Sequence, residues 1–170
     1  MTARKLLLLG EIGVGKTSLV RRLVHDELPT DYRATMGVDL YRYEIAGLGE
    51  GGGKALELVV WDLDGNYGES IFQHVYSKGA SGALIVGDVM RQSTLEHMVR
   101  LADGFTEAMP SRQFTFVVNK LDLVGEPEAG LLPERLREAR QPLVWTSALA
   151  ATNVLTAFRQ VADAILRREG

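Results

Sequence analysis

The chain has 170 residues, 46% of them hydrophobic, which predicts a single domain over residues 1–170 and excludes global disorder. The formal net charge of −3 indicates no nucleic-acid-binding surface, so we expect no nucleic-acid partner. The absence of cysteine excludes disulfides, thiolate metal sites and lipid attachment through cysteine, so we expect no lipid anchor. The longest apolar run near the N-terminus, at residues 6–9, is too short for a membrane span or a signal peptide, and we expect a cytoplasmic protein.

Short apolar runs alternate with segments of helical periodicity along the chain. The runs predict strands at residues 5–9, 38–45, 56–61, 83–86, 114–118 and 143–145. The helical spacing predicts helices at residues 16–25, 94–108, 131–139 and 153–168. This alternation predicts a three-layer α/β fold whose six-stranded sheet is mostly parallel, with the second strand as an antiparallel edge.

A glycine-rich tract at residues 47–53 follows the second predicted strand. Its letters GLGEGG match the Gly-x-Gly-x-x-Gly pattern of dinucleotide-binding proteins, but that pattern must follow a strand and open a helix. Here another strand follows, so the tract predicts a flexible hairpin tip between antiparallel strands.

The stretch GEIGVGKT at residues 10–17 lies between the first predicted strand and the first helix and fits the P-loop pattern. Glycines let the backbone wrap around phosphate groups, and the following helix contributes its positive end. We expect Lys16 to reach the β- and γ-phosphates and the Thr17 hydroxyl to bind Mg²⁺. The predicted phosphate-binding residues of this loop are Gly13, Val14, Gly15, Lys16, Thr17 and Ser18.

The stretch LVVWDLDGNY at residues 58–67 ends an apolar strand with two aspartates and a glycine. A calcium loop can begin in this way, but it requires glycine at its sixth position and glutamate at its twelfth. This chain has Tyr67 and Gln73 at those positions. A phosphatase with Asp62 as nucleophile is a second alternative, although its aspartate pair normally ends the first strand of the domain. After a P-loop, the favoured role of Asp62 is to hold Mg²⁺, and Gly65 then offers its N–H to the γ-phosphate.

The motif Asn119-Lys120-Leu121-Asp122 follows the predicted strand at residues 114–118. The Asp122 carboxylate can accept hydrogen bonds from the N1–H and the 2-amino group of guanine. Adenine lacks this pair of donors and would leave the carboxylate unpaired. The loop with Ser147 and Ala148 follows the last predicted strand and can direct a backbone N–H at the guanine O6. The sequence therefore predicts GTP or GDP as the ligand, with Mg²⁺.

At this point the chain resembles the small GTPases of the Ras superfamily, nearest their Rab-like branch. The resemblance is carried by TMGVDL, VVWDLDGN, YSKGASGALIVGDV and TSALAATNV, which begin at residues 35, 59, 76 and 146. It implies that Tyr32 lies over the phosphates, that Thr35 binds Mg²⁺ in the GTP state, and that Asp62 holds the ion through water. It also implies that effectors and regulators bind the switch I segment around Thr35 and the switch II segment around Gly65.

The sequence departs from the family pattern at several positions near the predicted γ-phosphate. Asn66 stands where the family has the glutamine that orients water, and Asp64 stands where it usually has alanine. Ile12 replaces a small residue and would crowd the γ-phosphate side of the loop. The candidate catalytic residues are Lys16, Thr35, Asp64, Gly65 and Asn66.

These departures leave two interpretations of the same fold. The first is a switch that hydrolyses GTP slowly and depends on a partner. The second is a GTP-binding interaction module with negligible hydrolysis, a pseudo-GTPase. Because it has no cysteine for lipid attachment, the chain resembles the unlipidated bacterial Ras-like GTPases. This resemblance implies a roadblock-type protein among the partners.

Overall fold

A six-stranded β-sheet forms the centre of the computed structural model, which describes residues 2–31, 37–63, 65 and 76–169. Its strands are β1 (Ala3–Leu9), β2 (Val38–Leu48), β3 (Lys54–Leu63), β4 (Ala80–Asp88), β5 (Gln113–Asn119) and β6 (Leu143–Trp145). Their order across the sheet is β2-β3-β1-β4-β5-β6. The β2–β3 pair at one edge is antiparallel and the other pairs are parallel, which confirms the predicted fold class.

Helices cover both faces of this sheet. Within the described ranges they are α1 (Lys16–His25), α2 (Gln92–Ala108), α3 (Glu134–Arg137) and α4 (Val154–Glu169). None of these helices is long and apolar enough to cross a membrane.

The core consists of two clusters of buried side chains, one on each face of the sheet. The alternation of strand side chains divides the four leucines of β1 between them. Leu6 and Leu8 pack with residues of α1 and α4, whereas Leu7 and Leu9 pack with residues of α2 and α3. All nine residues of β4 are buried, as expected for a central strand covered on both faces. The three-layer arrangement predicted from the sequence is therefore confirmed.

The helix predicted at residues 131–139 is wrong in its extent. Only Glu134–Arg137 is α-helical, after a 3₁₀ turn at Ala129–Leu131. Leu132 has an extended backbone, with φ −94° and ψ 141°, because Pro133 disfavours the helical conformation in the residue before it. The helix can begin only after the proline, so one short turn remains.

The glycine-rich tract connects β2 to β3, which confirms the predicted hairpin. Its tip is also attached to α4. The N–H of Gly49 donates to Asp163 Oδ1 at 2.9 Å, and the Arg159 guanidinium donates to the carbonyl of Gly47 at 2.9 Å. Two hydrogen bonds to a packed helix therefore hold a segment whose composition suggests flexibility.

We expect Phe158→Ala to lower the free energy of unfolding by about 3–5 kcal/mol, because this fully buried ring fills the core between α4 and the sheet. Urea unfolding followed by circular dichroism measures the change as a lower midpoint with an unchanged m-value. Leu155→Ala on the same helix is the control, since Leu155 is 43% exposed, and should cost well under about 1 kcal/mol. Equal losses in the two variants would contradict the assignment of this core.

Candidate functional site

The carboxyl ends of the parallel strands lie together at one edge of the sheet, where open α/β sheets bind ligands. The P-loop follows β1, Asp62 lies near the end of β3, and Asn119 ends β5. Leu8 of β1 is the register partner of Asp62, and Asp88 of β4 is the register partner of Asn119. The sheet therefore brings the motifs at residues 10–18, 62, 119–122 and 146–148 to a single edge.

Close contacts of the P-loop backbone require its glycines. Gly10, Gly13 and Gly15 have φ values of 152°, 80° and 101°, which side-chain-bearing residues rarely adopt. A Cβ atom on Gly10 would collide with the carbonyl oxygen of Val86, and one on Gly15 would collide with the Asn119 amide. The loop is thus fitted tightly between β4 and the end of β5.

Lys16 lies inside this loop and is only 6% exposed. Its ammonium group donates to the carbonyls of Gly10 at 2.7 Å and Glu11 at 3.1 Å. A buried ammonium requires such oxygen partners, because desolvation of an unpaired charge is costly. The ammonium group therefore lies inside the loop that the motif predicts to bind phosphate groups.

Thr17 and Asp62 form the oxygen-rich part of the site. The Thr17 hydroxyl in the first turn of α1 donates to Asp62 Oδ2 at 2.5 Å, and Asp62 is fully buried. A hydroxyl and a carboxylate oxygen are hard ligands of the kind that suit Mg²⁺, so the donor set fits the predicted ion. In the part of the chain that the structure describes, no group of three or more His, Cys, Asp or Glu side chains could hold a metal.

Burial and the nearby carboxylates both raise the pKa of Tyr41, a half-buried residue of β2. Burial is the larger cause, followed by the negative charges of Asp62 and Asp39. The field of Asp62 therefore extends to the neighbouring edge strand.

Gly65 lies directly against the P-loop. A Cβ atom on this glycine would be 2.5 Å from the Ile12 nitrogen and 2.7 Å from the Glu11 carbonyl carbon. Any side chain at position 65 would therefore displace the loop or the segment after β3. This contact joins the predicted γ-phosphate sensor to the residues that would surround the γ-phosphate.

Four further predicted site residues, Tyr32, Thr35, Asp64 and Asn66, lie outside the described residues. They remain predictions from the sequence.

The side chain of Asn119 connects the phosphate loop to the loop after β6. Its Nδ2 donates to the carbonyl of Val14 at 3.0 Å. Its Oδ1 accepts hydrogen bonds from the Thr146 hydroxyl at 2.9 Å and the Ala148 N–H at 3.3 Å. Asn119 is 2% exposed, so its described contacts are with the protein, and its effect on a ligand would be to position these loops.

Asp122 and Ser147 meet at the outer end of the site. The Ser147 hydroxyl donates to Asp122 Oδ1 at 2.7 Å and accepts the N–H of Ala150 at 2.9 Å. This contact orients a carboxylate that is exposed in the structure. Leu123 and Leu149 beside it are 57% and 63% exposed, so an apolar ring plane could cover them.

Sequence reasoning missed Asp88, which ends β4 and supports Lys120. The Lys120 ammonium is 2.8 Å from Asp88 Oδ2, and the Met90 N–H donates to Asp88 Oδ1 at 2.9 Å. The Asp88 side chain is only 3% exposed. An aspartate at the end of a fully buried strand is the signal that could have identified it. Lys120 itself has a left-handed backbone, with φ 68°, which turns the chain sharply after β5.

Comparison with known proteins gives consistent similarity over almost the whole chain. The profile of the Ras family matches residues 5–167. The Ypt/Rab-type GTPase YPT7 of Saccharomyces cerevisiae is 33% identical, over 96% of this chain and 82% of that protein. The Ras-related protein Rab-13 of Rattus norvegicus is 32% identical, over 98% of this chain and 81% of its own length. The Ras-related protein RIC2 of Oryza sativa subsp. japonica is also 32% identical, over 96% of this chain and 75% of its own length.

The matched region includes every element that builds the site, from β1 to α4. The P-loop, the aspartate of β3 and the Asn-Lys-x-Asp motif lie together at the sheet edge where the sequence predicts them. The chain therefore belongs to the Ras family and is one of its Rab-like members.

Proposed function

We propose that this chain is a guanine-nucleotide switch, a small GTPase that binds GTP or GDP with Mg²⁺ and hydrolyses GTP slowly. The observation that carries the proposal is the side chain of Asn119, which bonds to the P-loop carbonyl of Val14 and to the loop with Thr146 and Ala148. The phosphate-binding and base-reading parts are thereby held at a fixed separation. A ligand with a phosphate chain at one end and a purine at the other fits this arrangement.

Base recognition would depend on Asp122, whose carboxylate is oriented by the Ser147 hydroxyl. One carboxylate can accept both the N1–H and the 2-amino hydrogen bonds of guanine. The N–H of Ala148 in the adjacent loop is the candidate donor to the guanine O6, which would share it with Asn119 Oδ1, an acceptor 3.3 Å away. The side chains of Leu123 and Leu149 would contact the ring faces.

Phosphate recognition would combine the backbone N–H groups of residues 13–18 with the Lys16 ammonium. Thr17, Asp62 and Thr35 would hold Mg²⁺, which when bound neutralises charge on the phosphate oxygens. The contact of Asp62 with the Thr17 hydroxyl supports this role. Burial keeps its carboxylate away from bulk water, so its charge acts on its neighbours with little screening.

Hydrolysis would be an in-line attack of water on the γ-phosphate, with Lys16 and the loop amides stabilising the charge of the transferring group. The close contact of Gly65 with the Glu11–Ile12 peptide supports a role in sensing that phosphate. Asp64 and Asn66 flank Gly65 and would control the attacking water. The same pair also favours the second candidate, a pseudo-GTPase, because Asn66 is one methylene shorter than glutamine and would fall short of the attacking water unless switch II shifts.

Switching would act through the two segments at the ends of the β2–β3 hairpin. β2 begins just after the segment with Thr35, and β3 ends just before Gly65. Loss of the γ-phosphate would release both segments from the P-loop, which is the order–disorder switch known for GTPases. The hairpin between them is fixed to α4, so the released segments would move relative to a rigid frame.

Effectors and regulators would bind beside these segments. Leu40 on β2 is 58% exposed and pairs in register with Trp61 on β3. The Lys5 ammonium lies 3.7 Å from the centre of the Trp61 ring. An exposed leucine beside a partly buried tryptophan supports a protein-binding surface, because aromatic anchors dominate such interfaces. A roadblock-type regulator and a cytoplasmic location belong to the same proposal.

We expect guanine nucleotides to bind far more tightly than adenine nucleotides, and Asp122→Ala to abolish the preference. Removing two hydrogen bonds to a carboxylate, each worth about 1.5–3 kcal/mol, should weaken GDP binding by about 10²–10⁴-fold. Competition of GTP and ATP against a fluorescent GDP analogue measures both effects. Asp103→Ala removes an exposed carboxylate of α2 and should change neither affinity. Equal GTP and ATP affinity in the unaltered chain would exclude the proposed base recognition.

We expect partner-free hydrolysis at neutral pH at or below about 10⁻⁴ s⁻¹, the order found for Ras alone. Asp64→Ala should change this rate more than Asn66→Ala, because a charge beside the γ-phosphate has a larger effect than an amide that falls short of the water. Single-turnover hydrolysis, followed by chromatography of the bound nucleotide, measures all three rates.

A partner-free rate near 10⁻² s⁻¹, the order reached when an arginine is supplied within the same chain, would contradict this expectation. Retention of intact GTP for many hours, with both variants unchanged, would instead favour the pseudo-GTPase.

A further inference from the structure

Arg91 is attached to the P-loop, although it lies outside every nucleotide-binding motif of the chain. Its guanidinium Nη1 donates to the carbonyl of Ile12 at 2.9 Å, and Nη2 is 3.5 Å from Glu11 Oε2. Arg91 is 79 residues away from Ile12 in the sequence, immediately before α2. The contact therefore joins the end of β4 to the loop that follows β1.

The backbone of Arg91 is held by hydrogen bonds to the end of β4 and to the first turn of α2. Its N–H donates to the carbonyl of Asp88 at 3.0 Å. Its carbonyl accepts the N–H of Thr94 at 2.9 Å and the Thr94 hydroxyl at 2.7 Å. Both Asp88 and Thr94 are buried, so the side chain of Arg91 extends from a fixed point.

The Ile12 carbonyl, and not the Glu11 carboxylate, is the main partner of this guanidinium. The Arg91 and Glu11 side chains are 42% and 30% exposed, and their closest nitrogen–oxygen distance is 3.5 Å. Ion pairs as exposed as this one contribute little. The 2.9 Å hydrogen bond to the carbonyl is shorter and uses a charged donor.

The carbonyl groups of the P-loop change direction at Ile12. The carbonyls of Gly10 and Glu11 both face the Lys16 ammonium inside the loop. The carbonyl of Ile12 instead faces Arg91, which approaches from α2. The reversal coincides with the left-handed backbone of Gly13, whose φ is 80°.

A peptide unit has its C=O and N–H pointing in opposite directions, because it is planar and trans. The Ile12 carbonyl and the Gly13 N–H belong to one peptide unit. Holding the carbonyl towards Arg91 therefore directs the Gly13 N–H away from Arg91. This N–H would then be available to a phosphate group bound in the loop.

We propose that Arg91 is a positioning residue for the nucleotide, which fixes the Ile12–Gly13 peptide so that the Gly13 N–H donates to a phosphate oxygen. This inference rests on the proposed function, since it requires a nucleotide in the P-loop. Asn119 plays the matching role for the next part of the loop, because it holds the carbonyl of Val14 and so directs the Gly15 N–H.

The test is Arg91→Met, which removes the donors and the charge but keeps an unbranched apolar stem. We expect GDP affinity to fall by about tenfold, the scale of one charge-assisted hydrogen bond. In ¹H–¹⁵N spectra of the GDP-bound chain, the Gly13 amide proton should move upfield as its hydrogen bond to phosphate weakens. Arg91→Gln, too short to reach Ile12, should give the same result, and Arg91→Lys should restore most of the affinity.

Arg135→Met is the matched control, since it removes the same charge from an exposed arginine that pairs with Asp103. It should leave GDP affinity and the Gly13 resonance unchanged. Wild-type GDP affinity in both R91M and R91Q, or an unmoved Gly13 amide, would overturn the role of Arg91 while leaving the proposed function intact. A wild-type chain that binds no guanine nucleotide would overturn the proposed function, and the role of Arg91 with it.

Discussion

The buried amide of Asn119 determines the spacing between the two ends of the candidate site. It bonds on one side to the Val14 carbonyl and on the other to Thr146 and Ala148. The strand order places β4 between β1 and β5, so this side chain reaches across the end of β4 to the loop after β1. Because the amide lies away from water, each of its groups left unpaired would cost about 1–3 kcal/mol. This side chain therefore contributes to the geometry of both loops.

The same contact explains why the P-loop requires glycine at position 15. A Cβ atom there would occupy the place of the Asn119 amide nitrogen, so the glycine and the asparagine are mutually required. Gly10 is constrained in a similar way by the Val86 carbonyl of β4. The loop thus takes its shape from the ends of β4 and β5 as much as from its own sequence.

Local sequence patterns predicted most helices and strands, but they did not predict the contacts between residues distant in the chain. α1 and β6 begin and end where periodicity and apolar runs place them, whereas β3 and β4 extend beyond their apolar centres. Residues at strand ends, such as Lys54, join the sheet through backbone pairing, which does not require an apolar side chain. The hydropathy pattern therefore does not reveal where these strands end. Likewise, the motifs identified the residues that would touch a nucleotide but not Asp88 or Arg91. Those two act on residues distant in the chain, and no spacing rule links them to their partners.

Lys16 and Arg91, both among the described residues, bond to carbonyls of the P-loop, and their geometry bears on how fast a bound GTP could react. Lys16 is inside the loop, whereas the guanidinium of Arg91 is on the far side of the Ile12–Gly13 peptide and bonds to its carbonyl. Arg91 could approach the γ-phosphate only by releasing that carbonyl, which would also misdirect the Gly13 N–H. Arg91 would therefore support nucleotide binding rather than serve as a catalytic cation. An arginine that stabilises the transition state would then have to be a residue other than Arg91, whether from another part of the chain or from a partner.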